Sequence, residues 1–152
     1  MRGVLFRRAK RARLDDQRRT AADDRRREIN ILVVDDSINT REIERDILEA
    51  YGYRVTIAGD GVEALEKAGS SAFDLVITDV EMPRLNGFAL TERLRADPAY
   101  RDVPIIIVTS REKDEDKRKG IQVGASAYIV KGAFDQSNLV ETVQNLVGKG
   151  AG

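Results

Sequence analysis

Hydrophobic and polar positions fall into two kinds of block along this chain. Short, unbroken apolar runs rich in β-branched residues recur at residues 31–34, 75–78, 105–108 and 128–130, and a less apolar run lies at 54–58. Runs this short and this uniform predict strands covered on both faces. The segments between them carry a helical period. After Ser37, the residues Ile43, Ile47, Leu48 and Tyr51 are expected on one face, with Arg41, Glu42, Glu44 and Arg45 mostly outside, until Gly52 ends the helix. Asp60-Gly-Val-Glu63 reads as a capping-box-like start for a second helix with Val62, Leu65 and Ala68 inward. A third helix spans about 87–96 and buries Leu90 and Leu94. A fourth, roughly 112–123, is very polar, with a thin apolar contact near Ile121 and Val123. The fifth carries a stripe of Leu139, Val143 and Leu146 with Val140 and Val147.

Five strands alternating with five helices over short linkers predict an α/β, doubly wound parallel sheet. Right-handed crossovers place helices on both faces. Counted from the run at 31–34, the expected order is the flavodoxin-like 2-1-3-4-5, with a crevice between the first and third strands. Residues 1–28 stand outside the pattern and read as a basic arm or linker, flexible or helical, with no apolar face to bury. The domain is expected over 29–148, with a tail at 149–152.

Composition narrows the chemistry. There is no cysteine and no histidine. Thiol chemistry, imidazole bases and histidine or cysteine metal sites are therefore excluded. Any catalysis rests on carboxylates, hydroxyls, lysine or a bound metal. The apolar runs are far too short to cross a membrane, and 4–6 is too short for a signal-peptide core, so a soluble cytoplasmic protein is expected. The net charge is zero, but residues 1–28 hold eleven Lys and Arg against five Asp and Glu. Such an arm can meet nucleic acid or an anionic surface. Interrupting aspartates at 15, 16, 23 and 24, and no aromatics alternating with the arginines, favour a solvated linker instead.

The ends of the runs hold the candidate chemistry. The first strand ends in Asp35-Asp36, the third in Asp79, the fourth in Thr109-Ser110 and the fifth in Lys131. In the expected fold all lie along one edge of the sheet. Clustered carboxylates repel unless a cation neutralises them or one keeps its proton. Oxygen ligands suit a hard ion, Mg²⁺ above all. A hydroxyl and an ammonium opposite the metal suit the oxygens of a phosphoryl group. With no histidine or cysteine, the plausible nucleophile is a carboxylate, which would yield an aspartyl-phosphate.

Ile31-Leu-Val-Val-Asp-Asp-Ser37, Asp74-Leu-Val-Ile-Thr-Asp-Val-Glu-Met-Pro83, Asn86-Gly87, Ile107-Val-Thr-Ser110 and Ala127-Tyr-Ile-Val-Lys131 together resemble a response-regulator receiver domain (CheY-like) over about 29–147. The resemblance implies a phosphoacceptor in a two-component, chemotaxis-type phosphorelay. Asp79 would accept phosphate from a histidine kinase. Asp35, Asp36, Asp79 and the backbone carbonyl of Glu81 would hold Mg²⁺. Thr109 and Lys131 would complete the catalytic set, and Thr109 with Tyr128 would form the switch. The state would be read on the face of the fourth helix, fifth strand and fifth helix. Such a domain is not a conventional enzyme; it catalyses its own Mg²⁺-dependent aspartyl phosphorylation and dephosphorylation. Most receivers carry proline after the lysine. Here Gly132 follows, so a cis peptide is not expected there. The run 128–136 resembles receivers at the carboxyl end of hybrid CheA-type chemotaxis kinases. The resemblance then implies a CheA-type kinase partner, in the same parent polypeptide or another, and a monomer or weak dimer.

Other readings remain. A phosphate sink or a single-domain response regulator would share every motif. A haloacid-dehalogenase-like phosphatase also uses Asp-x-Asp and Mg²⁺, but Asp79-Val-Glu81 only approximates that motif. A flavodoxin-like electron carrier shares the fold, yet Asp35-Asp36 would repel a flavin phosphate. A DNA-binding regulator would need a second domain, and the arm is the sole candidate for contacting nucleic acid.

Overall fold

A six-stranded sheet organises the chain. Its elements are β1 (Val4–Phe6), β2 (Asn30–Val34), α1 (Ile38–Ala50), β3 (Arg54–Ala58), α2 (Gly61–Ser70), β4 (Leu75–Thr78), α3 (Gly87–Ala96), β5 (Ile105–Thr109), α4 (Asp114–Gln122), β6 (Ala127–Val130) and α5 (Gln136–Val147). The computed structural model describes residues 4–6, 28–131 and 136–150. The strands lie in the order β1-β6-β5-β4-β2-β3. The five from β2 to β6 are parallel, and they give the expected flavodoxin-like order. β1 adds antiparallel to the outer edge of β6. That strand falls within the stretch expected as an arm. Residues 1–3 and 7–27, the rest of that arm apart from Glu28, lie outside the described residues.

Side-chain alternation splits the core into two layers. Ile31, Val33, Ile77, Ile106, Val108 and Ile129 pack on one face against Leu48 of α1 and Leu139 and Val143 of α5. Leu32, Val34, Val76 and Ile105 pack on the other against Ala64 and Ala68 of α2 and Leu90 and Leu94 of α3. A smaller group, Val80, Phe88, Ile107, Tyr128 and Val130, lies toward α4, with the partly buried Val123 against it.

Helix starts are set by side-chain caps. Ser37 Oγ accepts from the Thr40 amide at 3.3 Å, Asp60 from Glu63 at 2.9 Å and Asn86 from Ala89 at 2.9 Å. Glu63 reaches back to the amide of Gly59 rather than to that of the cap itself, at 2.7 Å. α4 has no side-chain cap, but Asp114, Glu115 and Asp116 crowd its first turn and offset the positive end of the helix.

Two helices bury only part of the face expected: Ile47 and Leu48 of α1 and Ala68 of α2 lie inward as expected, but their companions differ. On α1, Glu44, Ile47 and Leu48 are buried, while Ile43 is 55% exposed and Tyr51 50%. Ile43 lies about 100° around the helix from Glu44, so a face centred on 44, 47 and 48 leaves it in solvent. Tyr51 falls on the C-cap, where the backbone has left the helix. On α2 the innermost residues are Gly61, Ala64 and Ala68, with Val62 and Leu65 only partly covered. Position 61 requires glycine, because a Cβ there would meet the carbonyl oxygen of Leu85 at 2.4 Å. α4 begins at Asp114 rather than near 112.

Candidate active site at the carboxyl ends of the strands

The parallel strands bring their carboxyl ends to one edge. Asp35 follows β2 and is 2% exposed; its backbone amide donates to Ala58 O at 3.1 Å. One carboxylate oxygen accepts from the Ser37 amide at 2.8 Å and the other from Lys131 Nζ at 3.3 Å. Asp36, one residue on, is exposed. Asp79 follows β4, and its backbone amide is held by Val34 O at 3.0 Å. Its Oδ1 accepts from the Val80 amide at 2.7 Å and its Oδ2 from Lys131 Nζ at 3.1 Å. Carboxylate oxygens of Asp35, Asp36 and Asp79 lie within 4.8 Å of one another. Two strand ends separated by a one-strand crossover have thus met across the crevice, as the topology requires.

Lys131 ties the fifth parallel strand to the other two. Burial works to lower the pKa of its ammonium, but Asp79 and Asp35 outweigh that and hold it raised. Burial pushes the Asp35 carboxyl upward, and Asp79 adds to this against the pull of the Ser37 amide and Lys131. Three carboxylates around one ammonium leave an excess of negative charge.

The loop after Asp79 is clamped from two sides. Arg84, in the left-handed region at φ 68°, forms a forked ion pair with Asp60 at 2.9–3.1 Å. Gly87 donates to Val80 O at 2.9 Å, and a Cβ on Gly87 would sit 2.0 Å from Asp79 O. Glu81 lies in this loop, and its side chain turns to Arg111 Nε at 3.1 Å.

Thr109 is fully buried at the end of β5. Its hydroxyl accepts from the Arg111 amide at 3.3 Å and makes no hydrogen bond to Asp79. Tyr128 is also fully buried, with its hydroxyl donating to Arg111 O at 2.8 Å. Burial, helped by Asp116, pushes the Tyr128 phenol up to about 12. Its ring lies against Gly120 of α4, where a Cβ would meet Cδ2 at 2.7 Å. Arg111 therefore touches both Thr109 and Tyr128 through its backbone, and Glu81 and Asp116 through its guanidinium. The Lys131–Gly132 peptide lies outside the described residues.

One site-side residue escaped the sequence pattern. Glu44 on α1 is 3% exposed, and its Oε2 has no hydrogen-bond partner. Burial, then the nearby Asp35, and Asp79 beyond the opposing Lys131, push its carboxyl up to about 8. No periodicity marks it, because an acid on a helix is read as the outer face.

Residues 31–144 match the response regulator receiver domain. The chain belongs to that family. A gliding motility regulatory protein of Myxococcus xanthus is 42% identical over 118 residues, which make up 78% of this chain and 15% of that protein. The chemotaxis protein CheY4 of Vibrio cholerae superposes with a TM-score of 0.75 at 38% identity, covering 79% of this chain and 99% of CheY4. The receiver domain of a sensor histidine kinase from Pseudomonas aeruginosa, with a magnesium ion coordinated in its active-site cleft, gives a TM-score of 0.73 at 30% identity, covering 80% and 99%. The chain spans 15–53% of the length of the first curated relatives it matches. Among the described residues, no helix is long and apolar enough to cross a membrane.

Proposed function

We propose that this receiver takes a phosphoryl group from a histidine kinase onto Asp79. The observation that carries the reading is the junction of Asp79 with Lys131 at 3.1 Å inside a cluster of three carboxylates. An Asp79 carboxylate oxygen attacks phosphorus as the bond from phosphorus to the donor nitrogen breaks, and the donor imidazole leaves with the electron pair. Lys131 offers an ammonium to the phosphoryl oxygens, and Thr109 offers a hydroxyl once it turns toward them.

The donor set fits a hard divalent cation: oxygen donors only, with three carboxylates crowded within 4.8 Å and one of them a buried acid whose pKa is raised by that burial. Asp35, Asp36, Asp79 and the backbone carbonyl of Glu81 would hold Mg²⁺. When bound, the ion neutralises the carboxylates and the incoming phosphoryl oxygens. Residues 29–148 form the receiver, 1–28 its amino-terminal arm and 149–152 a tail. A CheA-type hybrid kinase is the proposed parent or partner. Gly132 after Lys131, where most receivers carry proline, supports that subgroup. So does the match to a short part of a much longer motility regulator.

Acetyl phosphate with Mg²⁺ should add one phosphate to the intact protein, read by mass spectrometry. Asp79→Asn and excess chelator should each abolish it. Full labelling of Asp79→Asn would remove Asp79 from the acceptor role.

A further inference from the structure

β6 is the last of the parallel strands, and without β1 its outer side would be an open ladder. Backbone alternation fixes which groups face that side. The Ser126 amide donates to Ile105 O at 2.7 Å, so Ser126, Tyr128 and Val130 turn their backbone groups to β5. Ala127 and Ile129 turn theirs outward, where Phe6 and Val4 stand opposite them. Leu5, opposite Tyr128, turns its backbone groups away from β6. The edge they cover is Ala-Tyr-Ile-Val, uncharged and rich in strand formers. Such an edge accepts any extended segment that reaches it.

The route of the chain favours its own segment. Phe6 pairs with Ala127, the first residue of β6, so β1 ends where the parallel strands begin. β2 starts along that same edge of the sheet, four strand positions away, at about 19 Å. The chain from Phe6 to Asn30 reaches up to roughly 75 Å when extended. One molecule can therefore supply both strands, and the connection need not pass the opposite edge, where Asp35 and Asp79 lie.

We propose that the outer edge of β6 is a strand-accepting surface occupied in cis by Val4–Phe6. This strand closes the edge beside Tyr128 to extended segments of other chains, second copies of this protein included. The assignment does not depend on what happens at Asp79.

Amide hydrogen exchange on the full chain tests it. Val4→Pro with Phe6→Pro deletes the two N–H groups that face β6. Leu5→Pro removes only an outward N–H, which an edge strand tolerates. The double variant should exchange at least about tenfold faster at Ala127 and Ile129, with Tyr128 and Val130 unchanged as the control for folding. Leu5→Pro should exchange like the parent. Protection in the parent should be independent of concentration, with a monomer by sedimentation. Fast exchange at Ala127 and Ile129 in the parent, or protection unmoved in the double variant, would overturn the proposal. Protection lost on dilution as a dimer dissociates would overturn it too, by giving the edge to a second copy.

Discussion

Glu44 turns its carboxyl toward the sheet, and one of its oxygens finds no donor there. An ionised carboxylate in that position is costly, so the folded state keeps the proton to about pH 8, against an ordinary value of 4.5. The unfolded chain releases the proton near the ordinary value. Between the two values the native state therefore binds more protons, and stability falls as pH rises. The full displacement corresponds to roughly 5 kcal/mol. Glu44→Gln keeps the shape without the proton and should remove this slope. In chelator, the melting temperature of Glu44→Gln should match the parent near pH 5 and exceed it by a gap that widens up to pH 8.5. A gap of constant size across that range would show that Glu44 is not held protonated. Lys131, held raised by Asp79 and Asp35, remains cationic throughout this window and adds no slope of its own there.

At the scale of elements, the site depends on how closely α3 approaches the end of β4. Gly87 opens α3, and a methyl group there would lie 2.0 Å from Asp79 O. Ala is the better helix former by about 1 kcal/mol, but a collision with backbone cannot be relieved by a rotamer. Gly87→Ala should therefore lose about 1–3 kcal/mol net, a fall of roughly 5–10 °C in the melting temperature. Phosphate labelling should fall with it, since the displaced loop carries Glu81. An unchanged melting temperature would mean that α3 can draw back freely. The elements differ in how plainly the sequence marks them. Asp35, Asp36, Asp79, Thr109 and Lys131 stand where apolar runs stop, so their shared edge follows from strand periodicity and topology. Helix faces are less sharply marked. Ile43 and Tyr51 draw the apparent apolar face of α1 away from Glu44, and only contact with β2 and β3 decides the rotation. β1 left no pattern, because three apolar residues beside a run of arginines have no period, and only pairing with β6 makes them a strand.

For the whole molecule, the question is how an event at Asp79 reaches α4 and β6. The Tyr128 ring is fully inside the protein, and its hydroxyl is tied to the Arg111 carbonyl. We propose that the connection runs through Arg111. Its amide donates to Thr109 and its carbonyl accepts from Tyr128. A phosphoryl oxygen on Asp79 offers the Thr109 hydroxyl a stronger acceptor. If Thr109 turns toward it, the Arg111 amide would lose its partner, and the same peptide segment would move against the Tyr128 hydroxyl. The guanidinium of Arg111, bonded to Asp116 in the first turn of α4, would carry the displacement there. α4 is thinly anchored: it has no side-chain cap, and Gly120 is its one buried residue. Thr109→Ala removes the hydroxyl but neither the acceptor carboxylate nor Lys131. It should still be phosphorylated by acetyl phosphate, while the amide chemical-shift changes that phosphorylation causes at Arg111, Asp116, Gly120 and Tyr128 should shrink to less than about half of those in the parent. Changes of full size at these four amides in Thr109→Ala would show that the signal bypasses Thr109 and the segment around Arg111.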